Sequence, residues 1–109
     1  LANEKTMYQE LKINCPDDFE RLNKHIEILA EMQHYGLPTR LLDVTQNPLI
    51  ALYFACEDCT SYAGEVIIFA QNREDIKYPQ SDTVAVLASL PAFTFDEQKK
   101  FMKIVVKIL

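Results

Sequence analysis

The stretch Gly64-Glu65-Val66-Ile67-Ile68-Phe69-Ala70 decides how this chain is classed. It opens on a glycine and runs through three β-branched residues into an aromatic. A short continuous apolar run of that kind is the pattern of a buried strand. Read so, it makes the fold α+β: mainly helical, with one short β-sheet. A single strand cannot make a sheet, so the sheet is expected to be incomplete within this chain.

Everything around that stretch reads as helix or loop. On its N-terminal side, residues 48 to 58 begin Pro48-Leu49-Ile50-Ala51-Leu52-Tyr53-Phe54-Ala55-Cys56. Asn47 suits the cap and Pro48 the first helical position. The segment is apolar on every side, which predicts a central, buried helix. Further back, Pro16 with Asp17 and Asp18 marks a helix start, because carboxylates suit the positive end of the dipole. Phe19, Leu22, Ile26, Leu29 and Gln33 then fall on one stripe at helical spacing. Gly36 fits the left-handed residue after that helix, and Pro38 prevents continuation. Residues 3 to 13 form a weaker helix with Met7, Tyr8 and Leu11 on one side.

On the C-terminal side, residues 71 to 80 are a polar loop. Residues 82 to 90 admit strand or helix. Helix is preferred, because Ser81 and Asp82 can cap it and Val84, Leu87 and Ala88 share a face. Pro91 ends it. Thr94 and Glu97 form a capping box, and Phe101, Ile104, Val105 and Ile108 follow on an amphipathic helix. That helix stops at Leu109 without a cap. With the lone strand, this predicts that the chain, a single domain over residues 1–109, is a fragment or needs a partner to complete its fold, with exposed apolar surface open to self-association.

Composition narrows the functional classes. The chain has 109 residues, 49% of them hydrophobic and 25% charged, enough for one core and too apolar for wholesale disorder. Sixteen acidic residues against eleven basic give a net charge of −5. With the lysines and arginines scattered, neither nucleic acid nor an anionic membrane is an expected partner. No apolar run approaches the ~20 residues that span a bilayer. Three cysteines, Cys15, Cys56 and Cys59, are an odd number; the simplest reading is reduced thiols in the cytoplasm. Two glycines, Gly36 and Gly64, exclude a glycine-rich phosphate loop. Cys56-x-x-Cys59 lacks the second ligand pair of a structural zinc site, and it stands at a helix C-terminus, where the dipole opposes a thiolate. No metal or cofactor is therefore expected. Neither a Gly-x-Ser-x-Gly elbow nor a His-Glu-x-x-His motif occurs. The charged run Glu97 to Lys100 reads as a solvated helix face.

The chemistry concentrates in Gln33-His34-Tyr35-Gly36-Leu37-Pro38-Thr39-Arg40-Leu41-Leu42-Asp43-Val44-Thr45. An imidazole, a phenol, hydroxyls, a guanidinium, a carboxylate and an amide share one loop between two helices, where functional groups gather. Leu41 and Leu42 are expected to pin the loop to the core. Each polar group also has a structural reading. His34 can sit against the negative end of a helix dipole. Arg40 and Asp43 can pair as a clamp, and Thr45 can help Asn47 cap the next helix. Tyr53, on that helix, reads as a core tyrosine bonded to a carbonyl or to Asp43, with a catalytic phenol as the alternative.

This signature, continued by Thr45, Asn47-Pro48-Leu49 and Ala51-Leu52-Tyr53-Phe54-Ala55, resembles the central part of FRG-domain proteins. The resemblance extends more weakly through Gly64–Ala70 and Ser81–Leu90. The Phe-Arg-Gly tripeptide for which the family is named is absent. The resemblance implies a prokaryotic or phage origin and a domain whose biochemistry is unsettled, with the clustered polar groups suited to a nucleotide pocket. The run Leu52-Tyr53-Phe54-Ala55 also resembles a short segment of ADP-ribosyltransferases, which bind NAD.

Two functional expectations follow, and neither specifies a reaction. In the first, residues 33–45 form a pocket for a nucleotide-like, NAD-type ligand. His34, Asp43 and Tyr53 are then the candidate catalytic residues, and Gln33, Thr39, Arg40 and Thr45 bind the ligand. Arg40 would hold a phosphate, His34 would serve as acid or base, and Asp43 would orient Arg40 or a ribose hydroxyl. In the second, the chain is a non-catalytic protein-interaction module and the same residues are a structural loop clamp.

Overall fold

The computed structural model describes residues 3–57 and 61–108, with side chains described through residue 103. Six α-helices are described: α1 (Glu4–Asn14), α2 (Pro16–Phe19), α3 (His25–His34), α4 (Pro48–Glu57), α5 (Asp82–Ser89) and α6 (Phe95–Ile108), with a 3₁₀ turn at Leu90–Ala92. No strand occurs among the described residues.

The expected α+β class is therefore corrected to all-helical. Residues 64–70 have no regular structure, and their apolar side chains face outward: Ile68 is 88% exposed, and Ile67 and Phe69 are exposed as well. The physical reason lies in the backbone. An extended segment leaves a row of amides and carbonyls unpaired, and the described residues hold no second strand to receive them. Hydrophobicity alone does not make a strand.

The chain divides into two compact units. One joins the residues up to Leu41 with those from Lys77 onward; the other is Leu42–Ile76. The core of the first is Tyr8 from α1, Phe19 from α2, Ile28, Leu29 and Met32 from α3, and Ala88 from α5. Leu11, Cys15, Leu22, Ile26, Leu37 and Leu41 pack against it. The helix read from Pro16 onward is two helices. Lys24 adopts an extended backbone before α3 (φ −108°, ψ 135°), so Phe19 and the α3 face reach the same core from separate elements. Tyr8 is buried, and its hydroxyl bonds His25 Nδ1 at 3.2 Å.

The predicted terminators are in place. Gly36 has φ +81°. Its amide donates to the Gln33 carbonyl at 2.9 Å, and the Leu37 amide donates to that of Met32 at 3.0 Å. These are the two bonds of a Schellman motif, which satisfies carbonyls that the helix end leaves free. Ser81 caps α5, its hydroxyl accepting from the Val84 amide at 3.3 Å. In the capping box of α6, the Thr94 amide donates to Glu97 Oε2 at 2.7 Å. The return bond, from the Glu97 amide to Thr94 Oγ1, is 3.4 Å. Of the predicted α6 stripe, the Ile104, Val105 and Ile108 side chains lie outside the described residues.

In the second unit α4 starts as predicted. Asn47 Oδ1 accepts from the Leu49 amide at 3.0 Å, and Thr45 Oγ1 accepts from the Asn47 amide at 3.1 Å. The expected burial of α4 is not found: none of its residues is buried, and Leu49, Leu52, Tyr53 and Phe54 are all more than half exposed. A helix apolar on all sides needs a second layer to cover it, and no other helix occurs among the described residues of this unit. Gly64 passes so near the Ala55 carbonyl that any side chain there would collide with it. This close approach, not the start of a strand, is what requires glycine.

Candidate functional site

Arg40 follows a short loop that the Schellman motif and Leu41 hold against the core of the first unit. Its guanidinium makes a two-pronged ion pair with Glu4: Nε donates to Oε1 at 2.6 Å and Nη2 to Oε2 at 2.5 Å. Nη2 also donates to Gln98 Oε1 at 2.7 Å. Glu4 and Gln98 are each only 7% exposed, whereas the Arg40 side chain is 43% exposed. The ion pair therefore has one buried end and one wet end. The expected pairing of Arg40 with Asp43 is corrected: the carboxylate in its fork is Glu4, at the start of α1.

The electrostatics match this geometry. The hydrogen bond from Arg40 holds the Glu4 carboxyl below its ordinary value against the opposing effect of burial, with Gln98 assisting. The same bond pushes the Arg40 guanidinium up. At the end of α3, a side-chain hydrogen bond to Asp18 pushes the Tyr35 phenol up to about 12. Its ring lies 6.2 Å from that of Phe19, which ties α2 to the end of α3.

Of the other candidates, Gln33 and Thr39 are brought together: Thr39 Oγ1 donates to Gln33 Oε1 and accepts from the Leu41 amide at 3.1 Å. Thr39 thus staples its own loop. His34 is the last residue of α3 and is exposed. Asp43, Thr45 and Tyr53 belong to the second unit and are exposed there, Tyr53 edge-on to Phe54 at 5.7 Å between ring centres. Thr45 takes the capping role described above. Leu41 packs on the core as expected, but Leu42 is 70% exposed and pins nothing.

The first unit contains a cleft lined mainly by Met7, Tyr8, Leu29, Leu37, Pro38 and Pro91, with Glu4 and Thr39 also on its wall. Its interior has room for about one water molecule, far too little for a nucleotide. No helix among the described residues is long and apolar enough to cross a membrane. No cluster of three metal-ligating side chains occurs among them either. Cys59 of the Cys56-x-x-Cys59 pair lies outside the described residues.

Sequence reading missed Glu4 and Gln98. Glu4 stands one helical turn before Tyr8, on the inward face of α1, and Gln98 lies one turn before Phe101. A polar residue on an otherwise apolar helical face was the available signal. Gln98 was instead absorbed into the charged run Glu97 to Lys100.

No curated protein and no solved structure matches the chain. The sequence pattern of the FRG domain matches residues 1–63, more than half its length and including the whole loop from Gln33 to Thr45, so the chain belongs to the FRG domain family.

Proposed function

We propose that the chain serves as a non-catalytic protein-interaction module in which the family signature is scaffold. The observation that carries this reading is the commitment of Arg40. Two of its nitrogens engage the buried Glu4 carboxylate, and Gln98 takes a third bond. A phosphate would have to compete with a carboxylate already in place and nearly dehydrated. The exposed apolar residues of α4 supply a surface that a partner can read, since helix faces of this kind dock in protein grooves. Cytoplasmic placement accords with the reduced-thiol reading of the cysteines and belongs to the same proposal.

A second reading, a site for a nucleotide-like ligand, draws on the 43% exposure of the Arg40 side chain and the pairing of Gln33 with Thr39. Thermal unfolding with and without NAD, ATP and ADP-ribose separates the two. A ligand that binds only the folded chain raises the melting temperature by mass action. The interaction reading expects no shift with any of the three. A saturable rise with one of them, lost in Arg40→Ala, would establish the ligand reading in its place.

A further inference from the structure

We infer that Gln98 is the positioning residue of the signature arginine, and that the working unit of this FRG chain extends past the matched residues 1–63 to the start of α6. This rests on the reading of Arg40 as a clamp.

The argument begins with the Gln98 amide. Its Nε2 donates to the Leu90 carbonyl at 2.9 Å and to the Phe93 carbonyl at 3.1 Å. A longer bond of 3.4 Å reaches Glu4 Oε2. All three are acceptors only. A guanidinium is a donor only. The amide can therefore sit just one way round, nitrogen toward the carbonyls and oxygen toward Arg40. The 3₁₀ turn Leu90–Ala92 places the first carbonyl, and the capped start of α6 places Gln98 itself. Residues beyond the matched span thus orient a group within it.

Side-chain chemistry at this position is narrow. Gln98→Met keeps the length and loses every bond. Gln98→Glu keeps an acceptor for Arg40 but sets negative oxygens against two carbonyls and against Glu4. Positioning requires that neither restore the native arrangement.

The test is nitrogen-15 NMR of the full chain. Unsubstituted protein comes first, since it needs no variant to fold. The Gln98 side-chain amide protons should exchange with solvent at least tenfold more slowly than those of the exposed Gln9 and Gln46. The Arg40 Nε–H signal should stand apart from those of the exposed Arg21 and Arg73. In Gln98→Met and Gln98→Glu the Arg40 signal should move toward those two and exchange faster, while most backbone signals stay in place. If the Gln98 amide exchanges as fast as the exposed glutamines, or Arg40 is unmoved in both variants, Gln98 does not position it. Failure of the clamp reading itself registers separately, as an Arg40→Met variant that unfolds at the wild-type temperature.

Discussion

Replacing Arg40 with Met removes three charge-assisted hydrogen bonds and leaves the Glu4 carboxylate 7% exposed with no counter-ion. Breaking a buried ion pair from one side costs about 3–5 kcal/mol, most of it the penalty on the stranded charge. The 43% exposure of Arg40 lets water reach that side of the pair and offset part of the loss, which brings the expected cost to about 2–3 kcal/mol. For a unit of this size that lowers the melting temperature by about 8–24 °C. Arg40→Lys should recover little, because an ammonium cannot reproduce the two-pronged fork. The double variant Arg40→Met/Glu4→Met should recover most of it, since no charge is then left buried without a partner. Thermal unfolding followed by circular dichroism measures all three. Wild-type melting of Arg40→Met, or a double variant less stable than Arg40→Met alone, would refute the reasoning.

Three further outcomes are expected. The Glu4 carboxyl is held below its ordinary value of 4.5 by Arg40; the stability it contributes is fully present above that value and drains away as pH falls through the lowered one. A pH series of melting temperatures should therefore fall on the acid side more steeply in wild type than in Glu4→Gln, and parallel curves would contradict this. Gly36→Ala forces a side chain into the left-handed region at φ +81° and should cost about 1–2 kcal/mol, whereas an unchanged denaturant midpoint would mean that the turn relaxes. The exposed Leu49, Leu52, Tyr53 and Phe54 of α4 predict concentration-dependent association in analytical ultracentrifugation, reduced by Phe54→Asp; a monomer at every concentration would rule this out.

Local rules carried the sequence reading a long way, for a reason visible in the caps. Gly36, the Asn47-Pro48 pair, Ser81 and the Thr94–Glu97 box act on backbone groups within a few residues of themselves, so their effect is written in adjacent sequence. The family signature is likewise contiguous and was legible at once. Tertiary structure decided what depends on distant partners. The run Val66–Phe69 has strand composition, but a strand exists only if another segment accepts its hydrogen bonds, and none does among the described residues. The helix Pro48–Glu57 has core composition, but burial needs a covering layer that the described residues of its own unit do not supply. Arg40 was expected to pair with Asp43, three residues away. The carboxylate in its fork comes from Glu4, thirty-six residues before it. An ion pair is chosen by which charge the packed helices bring within reach and shield from water, and sequence spacing does not encode that.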